Sequence, residues 1–592
     1  MASPYLNYLN RSGSFFEIGF ALLAFLSNFV TFYLILAIPF LLLICFFPNR
    51  TTGILIPILC FWILHALVFM DVAIYRIFRF HINGLVLNFL FTPGAGDSVM
   101  LGWKTYLHFG LILLCVFTAQ VFSLKLIFKV RFFSKSTPKF FMWVFATIVT
   151  GIVLLDKTVF AVGDLYNQNN IMRYSRLYPL YIPVTIKTFM SKKFGFKVDR
   201  EQSLKFLGNP ASSLHYPLQP LVFNRLSHYP NIVIIAVESW RSDMFNQETT
   251  PHLFNFSAQC LTGLNHYSGG NASRFGIFSI FYGLYGTYWH QILAERRSPV
   301  LIDQLLELHY QIRVSSSTKL TYPEFRKTIF VRIPESIEDE LPGPSALERD
   351  SLQVENFLNW VNHRDPLRPF FSFLFFDAPH SPFAYPPEFD KFQPSAGNID
   401  YLTIDEHNLL PLYNRYRNAI LYDDYLIGKL LAGLDKQKLL DSTIIIVTGD
   451  HGEEFNESGF FGHTSAFSEQ QVKVAFLLHL PGSTPQSLTH LTSHLDIAPT
   501  LLGLLGCTNL SSDFSHGQSL FENRPFVVTA GWDDCAIIDS THFVVFSVES
   551  YNAAKSEIRD HQYRLVNNSK EIIQSKMPYL LDYCKNFKRF IR

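Results

Sequence analysis

Four long apolar runs near the amino terminus, at 18–47, 53–75, 106–128 and 140–163, constrain this chain more than anything else in its sequence. Each has the roughly 20 residues a helix needs to cross about 30 Å of hydrocarbon. The first is about twice the length of a signal-peptide core and has no A-x-A cleavage site, so it reads as a retained span. A fifth, weaker run covers 81–101 and is broken by "TPGAG". Charge follows the same division, since only 16 of the 97 charged side chains fall within residues 1–165. A membrane half followed by a water-soluble half is the class this distribution describes. The net charge of +1 gives no reason to expect a nucleic-acid partner.

Basic residues set the expected orientation. Lys125, Lys129, Arg131, Lys135 and Lys139 crowd the link before the last span, which the positive-inside rule places in the cytoplasm. Arg76 and Arg79 ask for the same side, which requires 81–101 to cross as well; a re-entrant hairpin there would leave four crossings. The reading that satisfies both clusters is an α-helical membrane domain of five spans over residues 1–164, amino terminus inside and the rest of the chain outside. Asp71, Asp156 and Lys157 lie within or at the ends of spans, where snorkelling or local ion pairs account for them. Residues 165–228 then form a juxtamembrane joint. Its aromatics alternate with Arg173, Arg176, Lys187, Lys192 and Lys193, a pattern suited to the headgroup layer and to anionic lipid.

From 229 to 592 short β-branched or aromatic runs alternate with amphipathic stretches: "NIVIIAVES", "QIRVSSS", "FFSFLFFDAPH", "TIIIVTGDH" and "VKVAFLLHLPG". Continuous apolar runs of this length predict buried strands of an α/β domain with a mostly parallel sheet. "DIAPTLLGLLG" predicts a helix capped by Asp496 and closed by Gly506. Glu238, His380, Asp450 and His451 all fall just after such strands, at the edge where open parallel sheets bind ligands. Three strands delivering acid or imidazole to one rim point to a coordination site. Without thiolate, the donor set suits zinc or manganese and excludes an iron–sulfur cluster. None of the seven cysteines forms a CxxC pair; Cys507 and Cys535 could bridge or stand as free thiols.

The strand-end acid in "VES" and the later "GDHG" resemble the alkaline-phosphatase superfamily, in particular its sulfatase, phosphoethanolamine-transferase and lipoteichoic-acid-synthase branch. That resemblance implies a divalent metal (zinc, manganese or magnesium) on Glu238, Asp450 and His451, with His380 and His463 at a second metal or on the substrate. The formylglycine motif C-x-P-x-R is absent, and Cys260 has neither Pro nor Arg in register. The transferase branch implies a hydroxyl nucleophile, and in "SGGNASRFGIF" that position falls on Ala272 or Ser273. Ser273 is the candidate able to do chemistry and to join the metal ligands; its structural alternative is to cap the helix beginning near Arg274.

Taken whole, the spans, "YPLYIPVTIKTF", "VESWRSDM", "SGGN…FGIFSIFYG", "FDAPHSPF" and "GDHGEEF" are similar to the YejM/PbgA family of Gram-negative inner-membrane proteins. The resemblance implies a periplasmic sulfatase-like domain, a role in outer-membrane and lipopolysaccharide homeostasis, and lipid A or cardiolipin as ligand. It also implies a membrane-anchored protease adaptor as partner on the cytoplasmic side. The family's paired basic motif is reduced here to Lys187, with Lys192 and Lys193 out of register. The alternative reading is a metal-dependent phospho- or sulfo-ester hydrolase or transferase acting on lipid headgroups.

Overall fold

The computed structural model describes residues 2–9, 14–46, 50–91, 103–129, 139–166, 168–195, 203–205, 213–397, 408–548, 550–552, 556–566 and 570–591. Its first half is built on α1 (Phe15–Phe46), α2 (Arg50–Phe78), the short α3 (Gly84–Phe91), α4 (Trp103–Lys129) and α5 (Lys139–Leu165). Among the described residues four stretches are long and apolar enough to span a membrane: Phe15–Pro39, Ile56–Phe78, Trp103–Ser123 and Trp143–Leu165. Leu107, Leu111 and Leu114 of α4 and Phe145, Ile148 and Leu155 of α5 are exposed. An apolar surface of this kind on every side suits a bundle solvated by lipid rather than water. Inside, Ala21 and Ala24 of α1 let Phe160 of α5 and Tyr178 approach closely.

The helices run alternately. Phe69 of α2 packs on Phe109 of α4, while Trp62, two turns earlier, meets Phe117 and donates to the Leu113 carbonyl at 2.9 Å. Tyr5 donates to the Asp71 carboxylate near the end of α2, and the Tyr178 hydroxyl reaches Ala21 O at 2.7 Å near the start of α1. The start of α1 therefore shares one end of the bundle with the finish of α2 and α5. Asp71 also accepts from His81 Nδ1 (2.7 Å) and the Ile82 amide (2.6 Å), and Asp156 from Tyr181 (2.7 Å) with Lys157 at 2.9 Å. These charges near span ends are thus satisfied locally, as expected.

Two expectations are corrected here. The weak run 81–101 does not cross over its described part, the remainder lying outside the described residues. At 8 residues α3 is about 12 Å long, and its face belongs to the α/β domain: Asn83 donates to Asp533 at 2.6 Å and Gly84 abuts Trp532. The described amino-terminal residues lie at the same end of the helix bundle as that domain, since Tyr5 meets Asp71 near the end of α2 and Arg79, just beyond it, reaches Gly459. Arg79 misled the orientation because it serves this contact, stacking 4.0 Å over Tyr8 and donating to Gly459 O at 3.2 Å.

After α6 (Lys187–Phe194) the chain enters a three-layer α/β domain. Its main sheet consists of β1 (Asn231–Val237), β2 (Leu261–Tyr267), β3 (Gln311–Ser316), β4 (Ile337–Glu338), β5 (Phe370–Phe376), β6 (Thr443–Gly449), β7 (Phe476–His479) and β8 (Gln486–Ser493), in the order β8-β2-β7-β6-β1-β5-β3-β4. All neighbours are parallel except β7, which runs against both β2 and β6, so the sheet is mixed. In β1 the side chains alternate between two cores. Ile232, Ile234 and Ala236 face the layer of α7 (Ser273–Tyr282); Val233, Ile235 and Val237 face α8 (Ala346–His363) and α9 (Leu409–Lys436). Period-two alternation with both faces covered is what a continuous apolar strand records.

Helix α7 is buried from Arg274 to Tyr282, and Gly276 makes that depth possible: a Cβ there would sit 2.1 Å from the Asp450 carbonyl. In α10 (Ile497–Leu504) the cap differs from the expected one. Ser493 caps the preceding turn, and Asp496 reaches back to the Ser493 amide at 2.8 Å; Gly506, at φ +95°, closes the helix as expected. A second, antiparallel sheet carries β9 (Phe526–Ala530), β10 (Asp534–Asp539), β11 (Phe543–Ser547) and β12 (Glu557–Arg559), with α11 (Lys570–Phe587) against it through Tyr579 on Phe526 and Tyr583 on Phe546. Cys507 and Cys535 are both free thiols.

The four-helix arrangement has a direct consequence. In a chain stripped of native cysteines, Ala2→Cys and Thr484→Cys should both react with a membrane-impermeant maleimide from the same face. Labelling from opposite faces would restore an odd number of crossings.

Candidate metal centre

The centre arises from strand register. Val237 at the end of β1 pairs with Gly449 on β6 and with Phe376 on β5. The next residues, Glu238, Asp450 and Asp377, therefore leave the sheet at one level. The ladder continues one step beyond the strands, with Glu238 N–H donating to Phe376 O (2.9 Å) and Asp450 N–H to Val237 O (3.2 Å). Gly449 lacks a side chain where a Cβ would meet the Trp240 carbonyl at 2.3 Å. Ser239 adopts φ +58°, a conformation uncommon outside glycine. That turn aims its amide at Asp450 Oδ1 (2.9 Å) and its hydroxyl at Glu238 Oε1 (3.0 Å).

Glu238, Asp450 and His451 are buried, with one donor atom from each lying within 4.8 Å of the others. His451 Nε2 stands 3.2 Å from Glu238 Oε1 and 3.3 Å from Asp450 Oδ2. Its Nδ1 lies 2.8 Å from Gly452 O, so the proton belongs on Nδ1 and Nε2 is left as a ligand atom. Ser273 Oγ is 3.0 Å from Glu238 Oε2 and 3.2 Å from His451 Nε2. The first turn of α7 thus points its hydroxyl into the carboxylate–imidazole cluster. Ala272, not Ser273, is the cap position, and Ser273 is the first helical residue. The capping alternative for Ser273 is thereby removed, and of the two candidate positions Ser273 is the one whose side chain reaches the cluster.

The donor set fits a divalent cation. Asp450 Oδ2 is buried without a hydrogen-bond partner among the described residues, a costly condition for a carboxylate oxygen. Burial works against His451 carrying charge, yet Asp450 and Glu238 raise its pKa well above the usual imidazole range. Burial and the Glu238 charge push Asp450 up, while Glu238, despite burial, is held low by His451. As protein alone the cluster meets its excess of negative charge with protons, which a dication in the same place would replace.

The two outer histidines join the same site. The His463 ring lies 4.4 Å from that of His451 and its Nδ1 is 2.7 Å from Glu453 Oε2; the His380 ring is 6.1 Å from His463. Burial lowers the pKa of His380, but Asp377 and Glu238 outweigh it and raise the net value. Asp377 is itself pushed up to about 6 by burial, with His380 pulling the other way.

Glu453, Asp377 and Ser239 were missed in the sequence. Asp377 follows its strand as directly as Glu238 does, so a rule of strand-end position would have found it; Glu453 lies four residues past the end of β6 and only its nearness to His451 could have signalled it. Asn88 had no signal at all. It comes from α3, yet its Oδ1 accepts from Arg274, the residue after Ser273, at 2.8 Å, and its amide lies 3.4 Å from Glu324. Arg274 is buried, 3.0 Å from Glu324, and its guanidinium lies 5.0 Å from the Trp289 ring.

The basic joint residues lie apart from this centre. Lys187 is paired with Asp164 of α5 at 3.2 Å, Lys192 and Lys193 are exposed on the last turn of α6, and Arg176 is exposed beside the α/β domain. The Arg173 side chain lies outside the described residues.

Comparison with known proteins gives two family matches, Sulfatase over residues 230–507 and a domain of unknown function, DUF3413, over residues 1–223. The chain is 24% identical over 516 residues to the inner membrane protein YejM of Salmonella typhimurium, covering 84% of this chain and 80% of that protein. An uncharacterized protein of Haemophilus influenzae is 25% identical over 504 residues, 84% of this chain and 77% of its own length. The phosphoethanolamine transferase EptA of Escherichia coli matches at 28% over only 137 residues, 21% of this chain and 24% of that protein. Among solved structures, the lipoteichoic acid synthase LtaP of Listeria monocytogenes aligns at 14% identity and a TM-score of 0.47, over 64% of this chain and 96% of its own.

Metal titration of the full chain by calorimetry should give one zinc or manganese site per chain. Asp450→Asn should weaken it at least ~100-fold, because both first-row metals depend on the anionic oxygen. Gly276→Ala, which pushes α7 off the Asp450 carbonyl, should weaken it and lower the melting temperature together.

Proposed function

Because this chain is a homologue of the YejM inner membrane proteins, a DUF3413 segment joined to a sulfatase domain, we propose that it is an inner-membrane, lipid-binding regulator of outer-membrane and lipopolysaccharide homeostasis. The observation that carries this reading is that the membrane half grips the α/β domain at residues that matter to the centre. Asn88 holds Arg274 beside Ser273, and Arg79 holds Gly459 in the loop between Glu453 and His463. A change in what surrounds the helices thereby has a route to the centre, which a lipid sensor needs. Orientation follows from the basic α4–α5 link. It joins the helix ends that face away from the α/β domain, and a cytoplasmic link puts that domain in the periplasm. Lys192 and Lys193, exposed beside the membrane, suit phosphates of lipopolysaccharide or cardiolipin. A membrane-anchored protease adaptor would meet the cytoplasmic links.

A second reading, ester hydrolysis or transfer on a lipid headgroup, is favoured by the Ser273 hydroxyl at 3.0 Å from Glu238 and 3.2 Å from His451. Glu238, Asp450, His451 and Ser273 would hold the cation, which when bound supplies Lewis acidity and lowers the pKa of a ligated hydroxyl. Glu238 Oε2 accepts the Ser273 proton in a hydrogen bond and so fixes the direction of its lone pairs. His380 and His463, whose rings lie 6.1 Å apart beside the cluster, would donate to the oxygens of a phosphoryl or sulfuryl group.

Complementation of a strain lacking its own relative separates the two. Ser273→Ala should complement as the parent does if regulation is the role, and loss of complementation would transfer the function to ester chemistry. Substituting Lys187, Lys192 and Lys193 together by Glu should reduce co-purifying lipopolysaccharide at least ~5-fold; unchanged lipid would remove the joint from the account.

A further inference from the structure

The two helices that cover the Val233, Ile235 and Val237 face of the sheet each carry an acid on their buried stripe. On α8, Asp350 stands four residues before Val354 and seven before Phe357; on α9, Asp423 stands three residues after Ile420 and four before Ile427. Spacings of three, four and seven put each acid in line with those apolar side chains, and both are buried with them. Burial and the charges of Asp350 and Asp377 push the Asp423 carboxyl well above its usual range, so the acids of the two helices act on one another.

Their surroundings differ. Asp350 accepts from Gln353 Nε2 at 2.8 Å and from the Ala378 amide at 2.7 Å, with the Asp377 amide at 3.2 Å. Asp424, beside Asp423 in sequence, takes the amides of His252 and Leu253 at 2.9 and 2.8 Å. Asp423 has no such bonds. It is 1% exposed, and neither of its carboxylate oxygens has a hydrogen-bond partner among the described residues. Such a group is costly unless an ion or a proton meets it. Gln353, which carries no charge of its own, points the same way. Its Nε2 holds Asp350, while its fully buried Oε1 is also without a partner among the described residues. The buried Ser317 hydroxyl stands beside Asp350. Arg349 of α8 does not neutralise the acids, since it donates to the carbonyls of Ser317 and Gly343 at 2.5 and 3.0 Å.

We propose that Asp350, Asp423 and Gln353 Oε1, with the Ser317 hydroxyl, form a cation site between α8 and α9, distinct from the strand-end centre and of the oxygen-only kind that calcium takes. These donors include neither imidazole nor thiolate, so a hard cation suits them better than zinc. Calcium accepts carboxylate and amide oxygens in flexible geometry, whereas magnesium dehydrates reluctantly and usually keeps several waters. Two carboxylates balance one dication. Asp350 also ties this site to the strand-end centre: by holding the Asp377 and Ala378 amides it fixes the turn that carries His380, whose own amide donates to Asp377 O at 3.0 Å. The site stands whichever of the two functional readings above holds.

The test adds calcium alone to the full chain in detergent, its strand-end centre first saturated with zinc. Bound calcium is read by equilibrium dialysis, and the melting temperature is taken near pH 6 and near pH 8.5. The parent should bind one calcium per chain and melt higher with it. Burial raises both acids, so the folded chain keeps protons there that the unfolded chain releases, and stability falls as pH rises toward the raised values. Calcium replaces those protons, and its stabilisation should therefore be larger at the higher pH. Asp423→Asn, which keeps the shape and removes the charge, should weaken calcium at least ~100-fold with zinc unchanged, and the neutral change Gln353→Leu at least ~5-fold. Calcium should slow hydrogen exchange at Ala378 and His380 in the parent and leave it unaltered in Asp423→Asn. A parent whose melting temperature falls with pH and ignores calcium overturns the site, because Asp423 then carries only a proton. Calcium bound as tightly by Asp423→Asn overturns it too, by placing the ion elsewhere. Should Asp423→Asn fail to fold, calcium binding undiminished by Gln353→Leu overturns the site in its place.

Discussion

The pairing of Val237 with both Gly449 and Phe376 is the constraint on which the rest depends. Three strands distant in the chain end at one level because the parallel register is fixed by side chains alternating between two cores. A slip of one residue would turn Ile232, Ile234 and Ala236 out of one core and into the other. The metal centre thus inherits its precision from apolar packing. Glu238, Asp450 and His451 need no flexible loop to find one another, and the strained turn at Ser239 is held by its bonds to the acids on either side.

The second dependency is the seat of α7. Gly276 allows the helix to press against the Asp450 carbonyl, and Arg274 fastens its first turn to Glu324 and to Asn88 of the membrane half. Ser273 sits between these two anchors. One belongs to the α/β domain and the other to the membrane half.

Much of this was legible in the sequence, and the limits have physical causes. The strands bearing Glu238, Asp450 and His380 were plain because burial on both faces leaves a continuous apolar run. Strands β2 and β8 were missed: "LTGLNHY" and "QSLTHLTS" are interrupted by polar or incompletely buried positions and carry no such run. The four spanning helices announced themselves by length. The end of the bundle at which the amino terminus lies was misread because Arg79, read as a topological signal, is a contact residue, and because the apolarity of α3 serves a protein surface rather than lipid. The candidate ligands were named from strand ends and resemblance together, and the structure brings Glu238, Asp450 and His451 within reach of one another. Asn88 acquires meaning only when two halves of the chain meet, which no local pattern records.

The central claim is that Glu238, Asp450, His451 and Ser273 form one cation site at the strand ends of a domain held by its membrane helices. Anomalous X-ray scattering from crystals of the zinc-loaded chain tests it most directly. The account predicts one peak per chain, within bonding distance of Asp450 Oδ2 and His451 Nε2 and adjacent to Ser273 Oγ. A peak elsewhere, or none at saturating zinc, would contradict it.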